Sequence, residues 1–137
     1  MLDHMTTMAQ ATGTVAMQGW LEETYAELEG APKLSHDRVG HTFSGDIEGE
    51  GTARFLNAYR DEATAVYCGY ERVVGRLAGR SGSFVLQVTG RFENGRATTN
   101  WSVVPGSGTG ALAGLSGEGG YVSTMDGSEP YRLDYRL

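Results

Sequence analysis

The sequence has little that would staple it, anchor it or charge it toward a partner. A single cysteine, Cys68, excludes an internal disulfide. A single lysine, Lys33, with no glycine run before it, excludes the lysine-ended loop that cradles nucleotide phosphates. Eleven basic residues against seventeen acidic ones leave a net charge of −6, and no segment gathers arginines into a patch that would release counterions from nucleic acid. Neither nucleic acid nor an anionic membrane is therefore an expected partner. No stretch approaches the roughly 18 apolar residues of a spanning helix. The start, MLDHMTTMAQ, has neither the basic beginning nor the apolar centre of a secretory signal. The expectation is a cytoplasmic protein with a flexible leader over residues 1–11 and one domain over 12–137. A chain of this size buries about two-thirds of the surface that it exposes when unfolded.

Helix signals are also scarce. Only WLEETYAELEG, Trp20 to Gly30, carries a run of good helix formers, and it lacks an N-cap, so it reads as strand with a short helix as the alternative. Elsewhere the period is two. In SFVLQVTGRF, Phe84, Leu86, Val88 and Phe92 share one face and Ser83, Gln87, Thr89 and Arg91 the other. In RATTNWSVV, Ala97, Trp101 and Val103 oppose Arg96, Asn100 and Ser102, and YRLDYRL alternates throughout. Turn signals fall at 30–32, 45–46, 60–62, 79–82, 93–95, 105–108 and 125–130. They separate eight short strands. With no helix to cover a sheet edge, the pattern predicts an all-β fold, a closed eight-stranded antiparallel barrel.

Glycine is what the chain has in excess, 21 residues. The run PGSGTGALAGLSGEGGY matches the spacing of a dinucleotide-binding loop, but the helix that must open from such a loop would contain Gly114, Gly117, Gly119 and Gly120, each costing about 1 kcal/mol against Ala. Asp126, where a ribose-binding acid would fall, sits in the turn-like MDGSEP. The glycines read better as strand bends and close approaches, Gly69, Gly75, Gly90, Gly114, Gly117 and Gly119 among them. Missing side chains on an inner face also leave volume, and an eight-stranded barrel is just wide enough for one small ligand.

The segments FSGDIEGEG, YCGYERVVGRLAGRSGSFVLQVTG and WSVVPGSGTGALAGLSGEGGY, in that order, closely resemble an uncharacterised bacterial family of small proteins known only as a domain of unknown function. Its fold groups with the allene oxide cyclase-like barrels, and the resemblance spans residues 12 to 137. The glycine-rich segment is also similar to a strand of plant allene oxide cyclases and dirigent proteins. That likeness implies a related, lipocalin-like barrel, a hydrophobic cavity and cofactor-free cyclisation or steering of a reactive intermediate. It carries over none of those proteins' catalytic residues, because the acidic, Pro- and Asn-bearing segment that holds them is missing here.

No metal site or cofactor is expected. His36 and His41 are five residues apart and face opposite sides of one strand. Asp46, Glu48 and Glu50 share a face, but the glycines between them favour a solvated hairpin. Cys68 has no histidine near it in sequence, and no serine sits in a nucleophile elbow. The candidates are polar or aromatic residues on otherwise apolar faces. Glu71 shares its face with Tyr67, Gly69 and Val73, opposite Arg72 and Arg76, and is the candidate catalytic acid or base. Its bland alternative is a structural ion pair, with Arg54 or Arg91 as the expected partner. Tyr59, Tyr67, Trp101, His41 and Glu118 are the candidate ligand-binding residues, with core filling as the alternative for the aromatics and a cross-strand ion pair for Glu118. The function expected is a barrel that binds a small hydrophobic molecule and acts on it as a cofactor-free cyclase or isomerase. The rivals are a carrier or sensor without chemistry and a homo-oligomeric scaffold with a filled interior.

Overall fold

The computed structural model describes residues 8–124 and 127–137. Eight strands close into one antiparallel barrel in chain order: β1 (Ala9–Ala26), β2 (Lys33–Gly45), β3 (Ile47–Asp61), β4 (Thr64–Leu77), β5 (Arg80–Glu93), β6 (Arg96–Val103), β7 (Ser116–Ser123) and β8 (Ser128–Arg136). Closure comes from β1 pairing with β8, from Ala9 opposite Tyr135 to Ala16 opposite Ser128. Segment 20–30, the one helix candidate, belongs to β1 and the turn after it. The leader expected over 1–11 overlaps the start of β1, since Ala9, Gln10 and Ala11 already pair with β8; residues 1–7 lie outside the described residues. No described helix is long and apolar enough to cross a membrane.

Period-two alternation decides which side chains point inward. Phe84, Leu86 and Val88 of β5, Trp101 and Val103 of β6, and Val73 and Leu77 of β4 are buried, while the arginines at 54, 72, 76 and 91 lie on the exposed face. Two hairpins turn on residues with positive φ, Ala78 and Gly79 between β4 and β5, and Asn94 and Gly95 between β5 and β6. Such two-residue turns match the right-handed twist of the flanking strands.

The glycine-rich connection differs from the tight turn expected at 105–108. It is a longer loop from Val104 to Leu115 containing one turn of 3-10 helix (Gly110–Leu112), and Gly114 lies in this loop with φ +87° instead of in a strand. The loop continues the ladder along the end of β5 that β6 does not reach. The amide of Val104 donates to the Val85 carbonyl and that of Thr109 to Ser83, while Ser107 Oγ accepts from the Val85 amide. Leu112 and Leu115 are thereby buried in the core with Phe84, Ile47 and Leu77 and fill that end of the barrel.

Candidate functional site

Above this packed end lies a layer of rings. Phe43, Trp101 and Tyr131 sit with centroids 5.9 Å apart, and Tyr121 packs 5.4 Å from Trp101. Beyond the layer the barrel is hollow. A cavity of about 230 Å³ opens at the end that carries the β1–β2, β3–β4 and β5–β6 turns. Its wall is largely apolar, from Val39, Phe55, Ala65, Phe92 and Ala97, and its polar groups are few: His41, Asp37 and Asn57 on one side, Tyr67, Thr99 and Tyr121 on the other, with Trp20, Tyr59, Glu62 and Ser123 about the mouth.

His41 and Glu71 form a buried imidazole–carboxyl pair. His41 Nδ1 lies 2.8 Å from Glu71 Oε2, with the two side chains 4% and 1% exposed. They belong to strands that are not neighbours, β2 and β4. On the intervening β3 the residue opposite His41 is Gly51, and a Cβ there would overlap Glu71 Oε2 and press on Phe43. The missing side chain is what lets the carboxyl reach across a strand. The same device recurs across β5. Tyr67 faces Gly90, which faces Thr99, and a Cβ on Gly90 would overlap the Tyr67 phenol. Tyr67 Oη thus lies 2.6 Å from Thr99 Oγ1 and donates to the Thr98 carbonyl at 3.3 Å. Burial, with the Glu71 carboxyl adding to it, pushes the Tyr121 phenol well above its ordinary range, and burial also raises Tyr67. Both phenols therefore keep their protons at neutral pH.

At the mouth a second polar cluster spans β1 to β3. Glu22 Oε2 accepts from Ser35 Oγ at 2.5 Å and from Tyr59 Oη at 2.6 Å, and Asn57 Nδ2 donates to Ser35 Oγ at 3.0 Å. Asp37, 9% exposed, stands beside this chain, and its Oδ1 has no hydrogen-bond partner among the described residues. Burial raises the Asp37 pKa above its usual carboxylate value of 3.8; Glu22 adds to the rise, while Asn57, Trp20 and the charge of His36 offset part of it.

Of the residues singled out in the sequence, Tyr59, Tyr67 and His41 line the cavity. Glu71 points inward as alternation requires, but it does not line the cavity, and its partner is His41 instead of Arg54 or Arg91. Arg54 is exposed, and Arg91 pairs with Glu93 on the surface. Two placements are corrected. Glu118 is exposed on the outer face of β7, because its register opposite Ser102 and Asp134 turns it away from the interior. Trp101 belongs to the ring layer and not to the cavity wall, with Nε1 buried and unpartnered among the described residues. Asp37, Asn57, Thr99 and Tyr121 were not singled out. Alternation alone would have found Asp37, since Ser35, Asp37, Val39, His41 and Phe43 share one face of β2. No group of three or more His, Cys, Asp or Glu side chains among the described residues could hold a metal ion. His36 and Cys68 line a shallow groove on the outer wall without a hydrogen bond between them.

No curated protein is significantly similar to the chain. It is similar to a solved structure from Shewanella oneidensis MR-1, a protein with unknown function from the DUF3224 family, at 32% identity over 96% of this chain and 98% of that one, with a TM-score of 0.81. The family model described as "Protein of unknown function (DUF3224)" matches residues 11–135, nearly the whole barrel. The chain therefore belongs to the DUF3224 family.

Proposed function

We infer that the barrel binds a small, largely apolar organic molecule in its open end and moves a proton on it without a cofactor, as an isomerase or cyclase. The observation that carries this reading is the buried His41–Glu71 pair at the cavity wall. A buried ionisable pair stabilises a fold poorly compared with apolar packing, so its presence beside a cavity favours a chemical role. With Glu71 as the carboxylate, Nδ1–H of His41 donates to it and Nε2 keeps its lone pair for the cavity. Nε2 takes a proton from one atom of the bound molecule, the carboxylate stabilises the imidazolium so formed, and the same proton returns to another atom of that molecule. Substrate and product then differ only in where the hydrogen and the double bonds lie, and no second reactant is needed. The protonated Tyr121 and Tyr67 phenols are the donors available to an oxygen that gains charge on the way.

On this reading His41 is the catalytic residue and Glu71 positions it, the reverse of the emphasis drawn from sequence. The cavity, at about 230 Å³, lies below the roughly 300–1,000 Å³ of common ligand pockets, which points to a substrate of about one ring with a short chain. The test is the ring opening of 5-nitrobenzisoxazole, a neutral, one-base reaction on a molecule of that size. The wild type should exceed the His41→Ala variant by about 10²–10⁴-fold, with Glu71→Gln in between. A wild-type rate equal to that of His41→Ala would overturn the proton-transfer role. Saturable binding of the probe without turnover would identify a carrier instead.

A further inference from the structure

The mouth cluster lies outside the proton-transfer machinery, and it contains an anomaly. Asp37 is a carboxyl 91% withdrawn from solvent, it lines the cavity, and its Oδ1 has no partner among the described residues. A buried carboxylate ordinarily has a cation or several donors. Here Asn57 and Trp20 donate to the carboxyl and His36 offers a weak positive charge, yet Oδ1 stays unmet, no lysine or arginine lines the cavity, and no ion pair to Asp37 exists among the described residues. The strongest charge near it is another acid, Glu22, already engaged with Ser35 and Tyr59. The single lysine of the chain, Lys33, caps this cluster, with Nζ 4.5 Å from the centroid of the Tyr59 ring, and forms no ion pair with Asp37 among the described residues. A second acid, Glu62, lines the same mouth, and the walls between are aromatic, Trp20, Phe55 and Phe92.

We propose that the cavity selects a small organic ammonium ion, an amine on an apolar body of about one ring, with Asp37 as its counter-ion. The proposal rests on the cavity reading above and names its substrate class. An ammonium N–H is the donor that Asp37 Oδ1 lacks, and a charge-assisted bond to it is about twice as strong as a neutral one. The positive charge would relieve the repulsion between Asp37 and Glu22, and the ring faces at the mouth favour a cation over a neutral group. A carboxylate ligand would add a fourth negative charge to the same end. A neutral alcohol would satisfy Oδ1 but leave the charge uncompensated. With the amine held at the mouth, the apolar body extends toward His41, where the proton transfer is placed.

The experiment is calorimetric titration at neutral pH and low salt with three probes of matched shape: 2-phenylethylamine, 2-phenylethanol and 3-phenylpropanoate. The wild type should bind the amine at least tenfold more tightly than the alcohol, and the carboxylate most weakly. Asp37→Asn should bring the amine to the level of the alcohol while leaving the alcohol within about threefold of its wild-type affinity. Asp37→Ser provides a second uncharged variant should the first not fold. Equal wild-type affinities for amine and alcohol would overturn the proposal, as would an amine preference that survives both substitutions. Failure of all three probes to bind would overturn the cavity reading with it. Binding without charge preference would sink the ammonium assignment alone, and loss of the His41-dependent ring opening with the amine preference intact would sink only the catalysis.

Discussion

At the scale of single residues, the interior is organised as much by missing side chains as by those present. Gly51 and Gly90 each occupy the strand between two polar groups that touch across it. Gly51→Ala should therefore push the Glu71 carboxylate off His41. Leaving that buried acceptor without its donor costs on the order of 1–3 kcal/mol in urea unfolding, and any His41-dependent rate should fall to the level of Glu71→Gln. A fully active, fully stable Gly51→Ala variant would show that the pair tolerates separation. Alternation in the sequence suffices to turn Glu71 inward, but not to name its partner. That partner is fixed by register across two strand pairs, which no local pattern encodes, and an arginine was the natural guess. Asp37 makes a separate prediction. Burial raises its folded pKa above 3.8, so it contributes stability that is fully present below pH 3.8 and is lost as pH rises through the folded value. The ligand-free Asp37→Asn protein should accordingly melt at a higher temperature than the parent at pH 7, with the difference vanishing below pH 3.8. Thermal melts across that range, with Glu22 and His36 unchanged, check the sign.

Among the elements, the strands were legible and the glycine-rich connection was not. Eight runs of period two, each ended by a turn residue, yield eight strands because a pleated strand must alternate its faces. The loop from Val104 to Leu115 has no period to read. Its conformation depends on hydrogen bonds to the far end of β5, and its apolar residues, Leu112 and Leu115, act by plugging the barrel end instead of by lining a strand face. The nucleotide-loop resemblance fails for the same reason: the turn that follows the glycines is a three-residue 3-10 segment closing a core, and it leads into strand β7 instead of into the helix that would receive a phosphate. Leu112→Ala should cost about 2–5 kcal/mol, as for other fully buried leucines, and should loosen the loop's amides at Val104 and Thr109 in hydrogen exchange. If those amides exchange unchanged while stability drops, Leu112 fills the core without fastening the loop.

On the scale of the whole molecule, the barrel is graded from a packed end to a hollow one, with the layer of Phe43, Trp101 and Tyr131 as the boundary. Closure through the β1–β8 pairing serves the whole barrel and does not by itself make one end dense and the other hollow. That difference follows from which side chains the strands bring inward. Toward the β4–β5 turn these are Ile47, Leu77 and Phe84, all but fully buried, with Leu112 beneath them; toward the mouth they are Phe92, Ala97 and Ala65, which line open volume. Two phenylalanines of the same strand, Phe84 and Phe92, therefore offer a matched comparison. Phe84→Ala opens a new void in dense surroundings and should cost about 3–5 kcal/mol. Phe92→Ala removes a partly exposed ring whose inner side already meets empty space, so it forfeits fewer contacts, creates no new enclosed void and should cost less than half as much. It should also enlarge the cavity, shifting ligand preference from one ring toward two, and should weaken but not abolish the preference for amine over alcohol, because one ring face is lost while Asp37 remains. Chemical denaturation of both variants, followed by titration of Phe92→Ala with 2-(2-naphthyl)ethylamine, measures both effects. Equal destabilisation by the two truncations would mean that the open end is packed as tightly as the closed one and that the cavity is not available to a ligand.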